Sequence, residues 1–284
     1  MGVNIPHLLI TLVGFYFLYL LCKKYFKTMG GFFITFSIVA FNLELVENLV
    51  MIRVYAVLPT LALMSLYFAQ MLVGQYAQLS PRQRIGIASF FVVLIWFHVY
   101  GIVILGCTML FAILEKWREP DVQRVLKDIL RLLTVVFVVA MPLWCYSVFG
   151  PHLSYEQETF VHRKINTFDY IPNPLVTILG FLKSIFGNLI GYKGLYFLLF
   201  GMLIPVFLPY RRRLRDIAFF LILVVLPIQL MLQGVLQCGY WFVQRQFLWV
   251  VPLFALFLGS VWEALLLTFS QLILILSRKK RSRC

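Results

Sequence analysis

Hydrophobic positions in this chain come in long blocks broken by short clusters of charge, not in the alternating or one-face stripes of a soluble fold. Blocks at about 3–22, 30–46, 54–76, 132–148, 193–209, 216–236 and 248–276 have lengths that suit helices crossing a bilayer core of roughly 30 Å. A further block, residues 85–115, is too long for one span at 31 residues. Breaking it at His98-Val-Tyr100-Gly101 gives two short, tilted helices and returns the chain to the side it left. Helices this short predict a thinned or water-accessible outer side around His98 and Tyr100. The whole pattern predicts an all-α, polytopic transmembrane helix bundle of about nine spans, that hairpin included, in a single domain over residues 1–284.

Three stretches are predicted not to span. Gly150 to Pro174 is the longest polar stretch and carries His152, Glu156, Glu158, His162, Arg163, Lys164 and Asp169. It is too short to build a core of its own, so residues 149–174 are expected to form an outer loop. In residues 175–190, Leu175, Ile178, Leu179, Leu182, Ile185, Phe186 and Leu189 fall on one helical side, opposite Thr177, Ser184 and Asn188. That spacing predicts an amphipathic helix lying on the outer leaflet. Glu115-Lys-Trp-Arg-Glu-Pro120 and the amphipathic run to Arg131 are expected to form the largest cytoplasmic loop.

Composition narrows the class. A chain that is 62% hydrophobic and 13% charged, with mean hydropathy +0.92, is excluded from the soluble globular proteins. Its 17% aromatic content suits a lipid-facing surface with interfacial belts. A net charge of +14 would fit nucleic acid, but the charges sit beside apolar blocks, as the positive-inside bias places them. No nucleic-acid partner is expected.

Lys23, Lys24 and Lys27 follow the first block, which puts the N-terminus outside, and Arg278-Lys-Lys-Arg-Ser-Arg283 puts the C-terminus in the cytoplasm. No basic region precedes the first block and no small-residue cleavage site follows it, so no cleavable signal peptide is expected. The five cysteines show no CxxC and no metal spacing. Cys145 and Cys238 fall near predicted outer span ends, where a disulfide is geometrically possible but two free thiols are expected.

This topology sorts the charge. Of the 25 Lys and Arg residues, six (Arg53, Arg163, Lys164, Lys183, Lys193 and Arg245) fall outside and 19 inside. All four histidines (His7, His98, His152 and His162) fall outside, with Glu44, Glu47, Glu156, Glu158 and Asp169. Chemistry is therefore expected on the outer face. Its focus is the stretch Glu47-Asn-Leu-Val-Met-Ile-Arg53-Val-Tyr55, with Glu44 just before it. Charge at membrane depth costs roughly 2.5–3.5 kcal/mol, so such clusters mark a partner, a ligand or a wet cavity.

Glu44 and Glu47 are i,i+3 on one helical face, where paired carboxylates hold a divalent cation, act as a general base, or simply solvate a helix end. Arg53 and Arg245 offer forks of donors suited to a lipid phosphate or pyrophosphate, the bland alternative being contact with ordinary phospholipid. Tyr55 stands beside Arg53. Tyr240-Trp-Phe242 suits belt packing first and sugar stacking second.

Several motifs resemble, in order, those of the membrane glycosyltransferases of the C-type fold, the superfamily of protein mannosyltransferases and aminoarabinose transferases. Leu18-Tyr-Leu-Leu-Cys-Lys-Lys-Tyr-Phe26 is similar to the end of that family's second span. Arg53-Val-Tyr55-Ala-Val-Leu resembles its R-x-Y-x-L motif, and Ile95-Trp-Phe-His98-Val-Tyr its short outer hairpin. The juxtamembrane helix, the Arg-rich turn at Arg211 to Arg215, and Gln244-Arg245-Gln-Phe-Leu-Trp-Val-Val-Pro252, similar to E-R-Y-x-L-x-x-x-P, complete the series.

The resemblance implies transfer of a sugar from a polyprenyl phosphate to a lipid, glycan or protein acceptor, at the outer face of a bacterial inner membrane. Glu44 or Glu47 would then be catalytic, and Arg53, Tyr55, His98, Tyr100, Tyr240 and Arg245 would bind substrate. The chain departs from the family where it matters most. The family's catalytic Asp lies in a large loop between its first and second spans, whereas only Met1 to Pro6, with no acid, precedes the segment that resembles the second span. Gln244 and Phe247 also stand around Arg245 where the family has Glu and Tyr. The chain is expected to be either a truncated or alternative-start product, or a relative that has lost its base. A non-catalytic lipid-binding relative or assembly subunit is the alternative. A transporter or flippase ranks below both, because the break at His98 has no mirrored counterpart.

Overall fold

The computed structural model describes residues 5–42, 45–46, 56–98, 100–117, 120–149 and 248–281, and these are helical with no strand among them. Seven helices follow in order: α1 (Ile5–Tyr25), α2 (Met29–Ala40), α3 (Leu58–Gln75), α4 (Pro81–Phe97), α5 (Gly101–Lys116), α6 (Pro120–Phe149) and α7 (Val250–Arg281). Four segments, Ile5–Tyr25, Leu58–Gln78, Val122–Tyr146 and Val250–Gln271, are long and apolar enough to cross a bilayer. This is an integral membrane protein.

Local signals fix the helix ends. At α4, Ser80 accepts from the Gln83 backbone while the Gln83 side chain accepts from the Ser80 backbone, a capping box with Pro81 in the first turn. Between α4 and α5 the chain turns at His98, as the sequence predicts. The Gly101 N–H donates to the His98 carbonyl at 2.7 Å. A Cβ at Gly101 would run into the Leu94 carbonyl and lie 2.8 Å from the Ile95 Cα, so glycine is required by this approach.

Interhelical bonds set the directions. Thr60 Oγ1 donates to the Ile10 carbonyl at 3.2 Å and Gln70 reaches Tyr25, so α1 and α3 run parallel. The Ser65–Thr108 hydroxyl pair at 2.7 Å and a Gln70–Glu115 bond at 3.0 Å align α5 with them. Trp96 Nε1 donates to the Ala140 carbonyl at 3.3 Å, pairing α4 with α6, which run the other way. Helix α7 is antiparallel to α2 and packs on it most extensively. There Thr35 Oγ1 donates to the carbonyls of Gly31 (2.9 Å) and Ala255 (3.2 Å). A Cβ on Gly259 would lie 2.7 Å from the Gly31 carbonyl oxygen, so small residues let the two backbones meet.

Burial sorts the spans: 61% of the window in the α3 span and 72% in α7 are buried, against 22% in α1 and 17% in α6. Helices α3 and α7 are therefore the core, where Leu58, Leu66, Leu72 and Phe254 are fully enclosed. Helices α1 and α6 turn Leu8, Leu12, Tyr16, Val135 and Val138 outward, as lipid-facing helices do.

Two expectations are corrected. The block at 30–46 is not a continuous span, since α2 has 12 residues and ends at Ala40. Buried Asn42 stops it by accepting the Leu45 N–H at 3.0 Å, a side-chain cap in competition with the helix. The run from Pro120 to Arg131 is not a loop, because α6 is one 30-residue helix from Pro120. Proline suits a first helical position, and the Asp128–Arg131 pair at 3.2 Å lies along the helix. The predicted outer loop 149–174 (from residue 150 on), the interfacial helix 175–190 and the blocks up to residue 247 lie outside the described residues.

Candidate functional site

The directions above give the bundle two ends. One carries Lys23, Lys24, Lys27, Arg82, Arg84 and Lys116, at the ends of α1, α3 and α5 and the starts of α2 and α4. The other carries the starts of α1, α3, α5 and α7, and with them His7, His98 and Tyr100. Among the described residues, basic groups and imidazoles thus occupy opposite ends.

A cavity of about 90 Å³ lies at the imidazole end between α1, α2, α3 and α7, lined by Phe15, Leu18, Val39, Pro59, Leu63 and Pro252 among others. Its wall is apolar. Two threonines reach it, but each hydroxyl hydrogen is spent on α1: Thr11 Oγ1 donates to the His7 carbonyl at 2.8 Å and Thr60 Oγ1 to that of Ile10 at 3.2 Å. An apolar hollow of this size suits an apolar group.

Leu45, Val46 and Ala56 also line it. In the chain these residues sit between Glu44 and Glu47 and directly after Tyr55. Glu44, Glu47, Arg53, Tyr55, Tyr240 and Arg245 themselves lie outside the described residues. Among the described residues no group of three or more His, Cys, Asp and Glu side chains is placed to hold a metal ion.

His98 and Tyr100, the two expected substrate-binding residues that are described, meet each other. The Tyr100 N–H donates to His98 Nδ1 at 3.2 Å, and the rings lie 4.9 Å apart at 45°. Burial in the turn holds the His98 imidazole below its ordinary range, which keeps it neutral and able to accept that bond. Neither residue lines the cavity. Cys145 is a free, half-buried thiol, and Cys238 lies outside the described residues.

The basic end holds polar residues that the sequence reading passed over. Gln70, nearly fully buried, links three helices: its Nε2 donates to the Tyr25 hydroxyl and to Glu115 Oε2 at 3.0 Å, and its Oε1 accepts from Lys24 Nζ at 2.8 Å. Glu263 on α7 is 1% exposed and accepts the backbone N–H groups of Lys27 and Thr28, the latter at 2.5 Å. It satisfies donors just ahead of α2, where a carboxylate also complements the helix dipole. A signal was available, since Glu263 is the sole charged residue in the block 248–276.

Comparison of the chain with family models, with curated proteins and with solved structures finds no match.

Proposed function

We propose that this protein binds a polyprenyl-phosphate sugar at the imidazole end of the bundle and transfers the sugar to a lipid, glycan or protein acceptor. The observation that carries the reading is the apolar cavity, whose lining residues Leu45, Val46 and Ala56 are chain neighbours of Glu44, Glu47 and Tyr55. An apolar hollow whose lining residues neighbour carboxylates and a guanidinium in sequence fits a lipid-linked anionic donor. Arg53 and Arg245 would take the phosphate, Glu44 or Glu47 would orient or deprotonate the acceptor, directly or through a divalent cation, and Tyr55, His98, Tyr100 and Tyr240 would border the sugar. The nine-span arrangement, an outer N-terminus, a cytoplasmic C-terminus and a bacterial inner membrane belong to this proposal. A second reading, a non-catalytic lipid-binding relative, draws on the same cavity, because its apolar wall serves binding without chemistry.

The test is transfer in vitro from a polyprenyl-phosphate sugar by wild type, Glu47→Gln and Arg53→Ala. Turnover is expected to fall about 100-fold or more in Glu47→Gln, the scale of a lost general base. For Arg53→Ala the expected loss is about tenfold in kcat/KM, the scale of one charge-assisted contact. Equal rates in all three proteins remove the site assignment.

A further inference from the structure

Helix α6 turns one unbroken stripe away from the bundle. Arg124, Lys127 and Arg131 are exposed on it, and the same row of one-turn steps continues through Val135, Val138 and Pro142, exposed as well. The first half of the stripe is cationic and the second half is apolar. Asp128 is exposed on the same face, where Arg131 holds it at 3.2 Å while staying 68% exposed itself. Residues 124–131 still carry a net charge of +2, from two Arg, one Lys and one Asp.

The neighbouring helix sets the depth of the cations. Trp96 of α4 donates to the Ala140 carbonyl and the two helices run the same way, so Pro81, which opens α4, is level with about Val125. The turn at Tyr76–Gln78, just ahead of α4, also touches α6, and the Arg84 guanidinium stacks on Tyr76 at 4.3 Å. Arg82 and Arg84 therefore enter α4 at the height at which Arg124, Lys127 and Arg131 leave the start of α6. The seven residues from Arg124 to Arg131 rise about 10 Å, close to the depth of a head-group layer.

Charge alone would fit any polyanion, but the apolar continuation narrows the choice. An acidic peptide or a nucleic acid gains nothing from Val135 and Val138. A phospholipid matches both halves, and an anionic one brings no ammonium of its own to oppose the cations. Guanidinium forks suit its phosphate in particular. We propose that this stripe docks an anionic phospholipid of the leaflet at the basic end, with its phosphate on Arg124, Lys127 and Arg131 and its acyl chains along Val135 and Val138. The site belongs to the opposite end from the cavity and is independent of any sugar transfer.

The experiment cross-links lipid to the full chain in phosphatidylcholine nanodiscs. The probes are phosphatidylglycerol and phosphatidylcholine that carry the same photoactivatable acyl chain, and peptide mapping counts adducts within residues 132–142. Each basic residue near a lipid surface favours anionic lipid about fivefold, so the phosphatidylglycerol probe should label this segment at least about tenfold more than the phosphatidylcholine probe. Joint replacement by Arg124→Gln, Lys127→Gln and Arg131→Gln should bring the two probes level. Lys23→Gln with Lys27→Gln, exposed at the same end but outside α6, should leave the preference as in wild type. Asp128→Asn should raise labelling by phosphatidylglycerol severalfold, a gain that misfolding would not produce. Equal labelling by the two probes in wild type overturns the proposal, as does a preference that survives the triple replacement. A loss just as large in the Lys23 and Lys27 variant overturns it too, because net charge and not the stripe would then select the lipid. So does unchanged or reduced labelling in Asp128→Asn.

Discussion

The two ends of this bundle carry different buried polar groups. At the basic end, Gln70, Tyr25, Glu115 and Lys24 are bonded to one another across three helices, and Glu263 spends its carboxylate on two backbone N–H groups. At the imidazole end, the shielded nitrogens of Trp249 and His7 meet no partner among the described residues. Charge explains the first arrangement. A carboxylate inside a membrane protein is expensive unless paired, so Glu263 and Glu115 are bonded, while Thr28 Oγ1 and Arg84 Nε at the same end are shielded and meet no partner among the described residues. The bonds of Gln70 and Glu263 suit a clamp that fixes helix positions.

The comparison can be broken most forcefully where the clamp is tightest. Gly259→Leu places a side chain against the Gly31 backbone and should cost about 3 kcal/mol or more, read as a large loss of thermal stability in detergent. A variant that melts like wild type would show that α2 and α7 do not meet there. Next in size, Glu263→Ala leaves the Lys27 and Thr28 N–H groups without their acceptor and should cost about 2–3 kcal/mol, while Glu263→Gln, which keeps an oxygen, should recover most of it. The smallest effect sharpens the contrast from the other side. Trp249→Phe removes a donor that no described partner accepts, so the loss should be only the roughly 1 kcal/mol that a smaller buried ring costs in packing. A loss well beyond that would mean that the indole is bonded in the folded state.

Much of the fold was legible because lipid imposes a coarse code. Long apolar blocks between basic clusters read as helices, and the break at His98-Val-Tyr100-Gly101 was visible because one 31-residue span is too long and glycine permits the turn. The start of α6 was not. Charges after Pro120 look like a loop until they are placed around a helix, where Asp128 and Arg131 become neighbours. The short α2 escaped too, because only tertiary context shows Asn42 buried and capping the next turn. Of the expected site, His98 and Tyr100 could be seen to meet, since two residues in one turn are near by covalent geometry. The Gln70 network depends on the register of three helices, and no local pattern carries register.

The hairpin and α6 touch, yet their reaches differ widely. Helices α4 and α5, of 17 and 16 residues, extend about 25 Å, while the 30 residues of α6 extend about 45 Å. A bilayer matched to both full lengths would step down within the width of one helix. Lipids beside the turn at His98 would then be compressed and splayed relative to those a few ångströms around the rim. Such a dimple draws head groups inward on one flank alone, which gives the surrounding leaflet a preferred direction of approach.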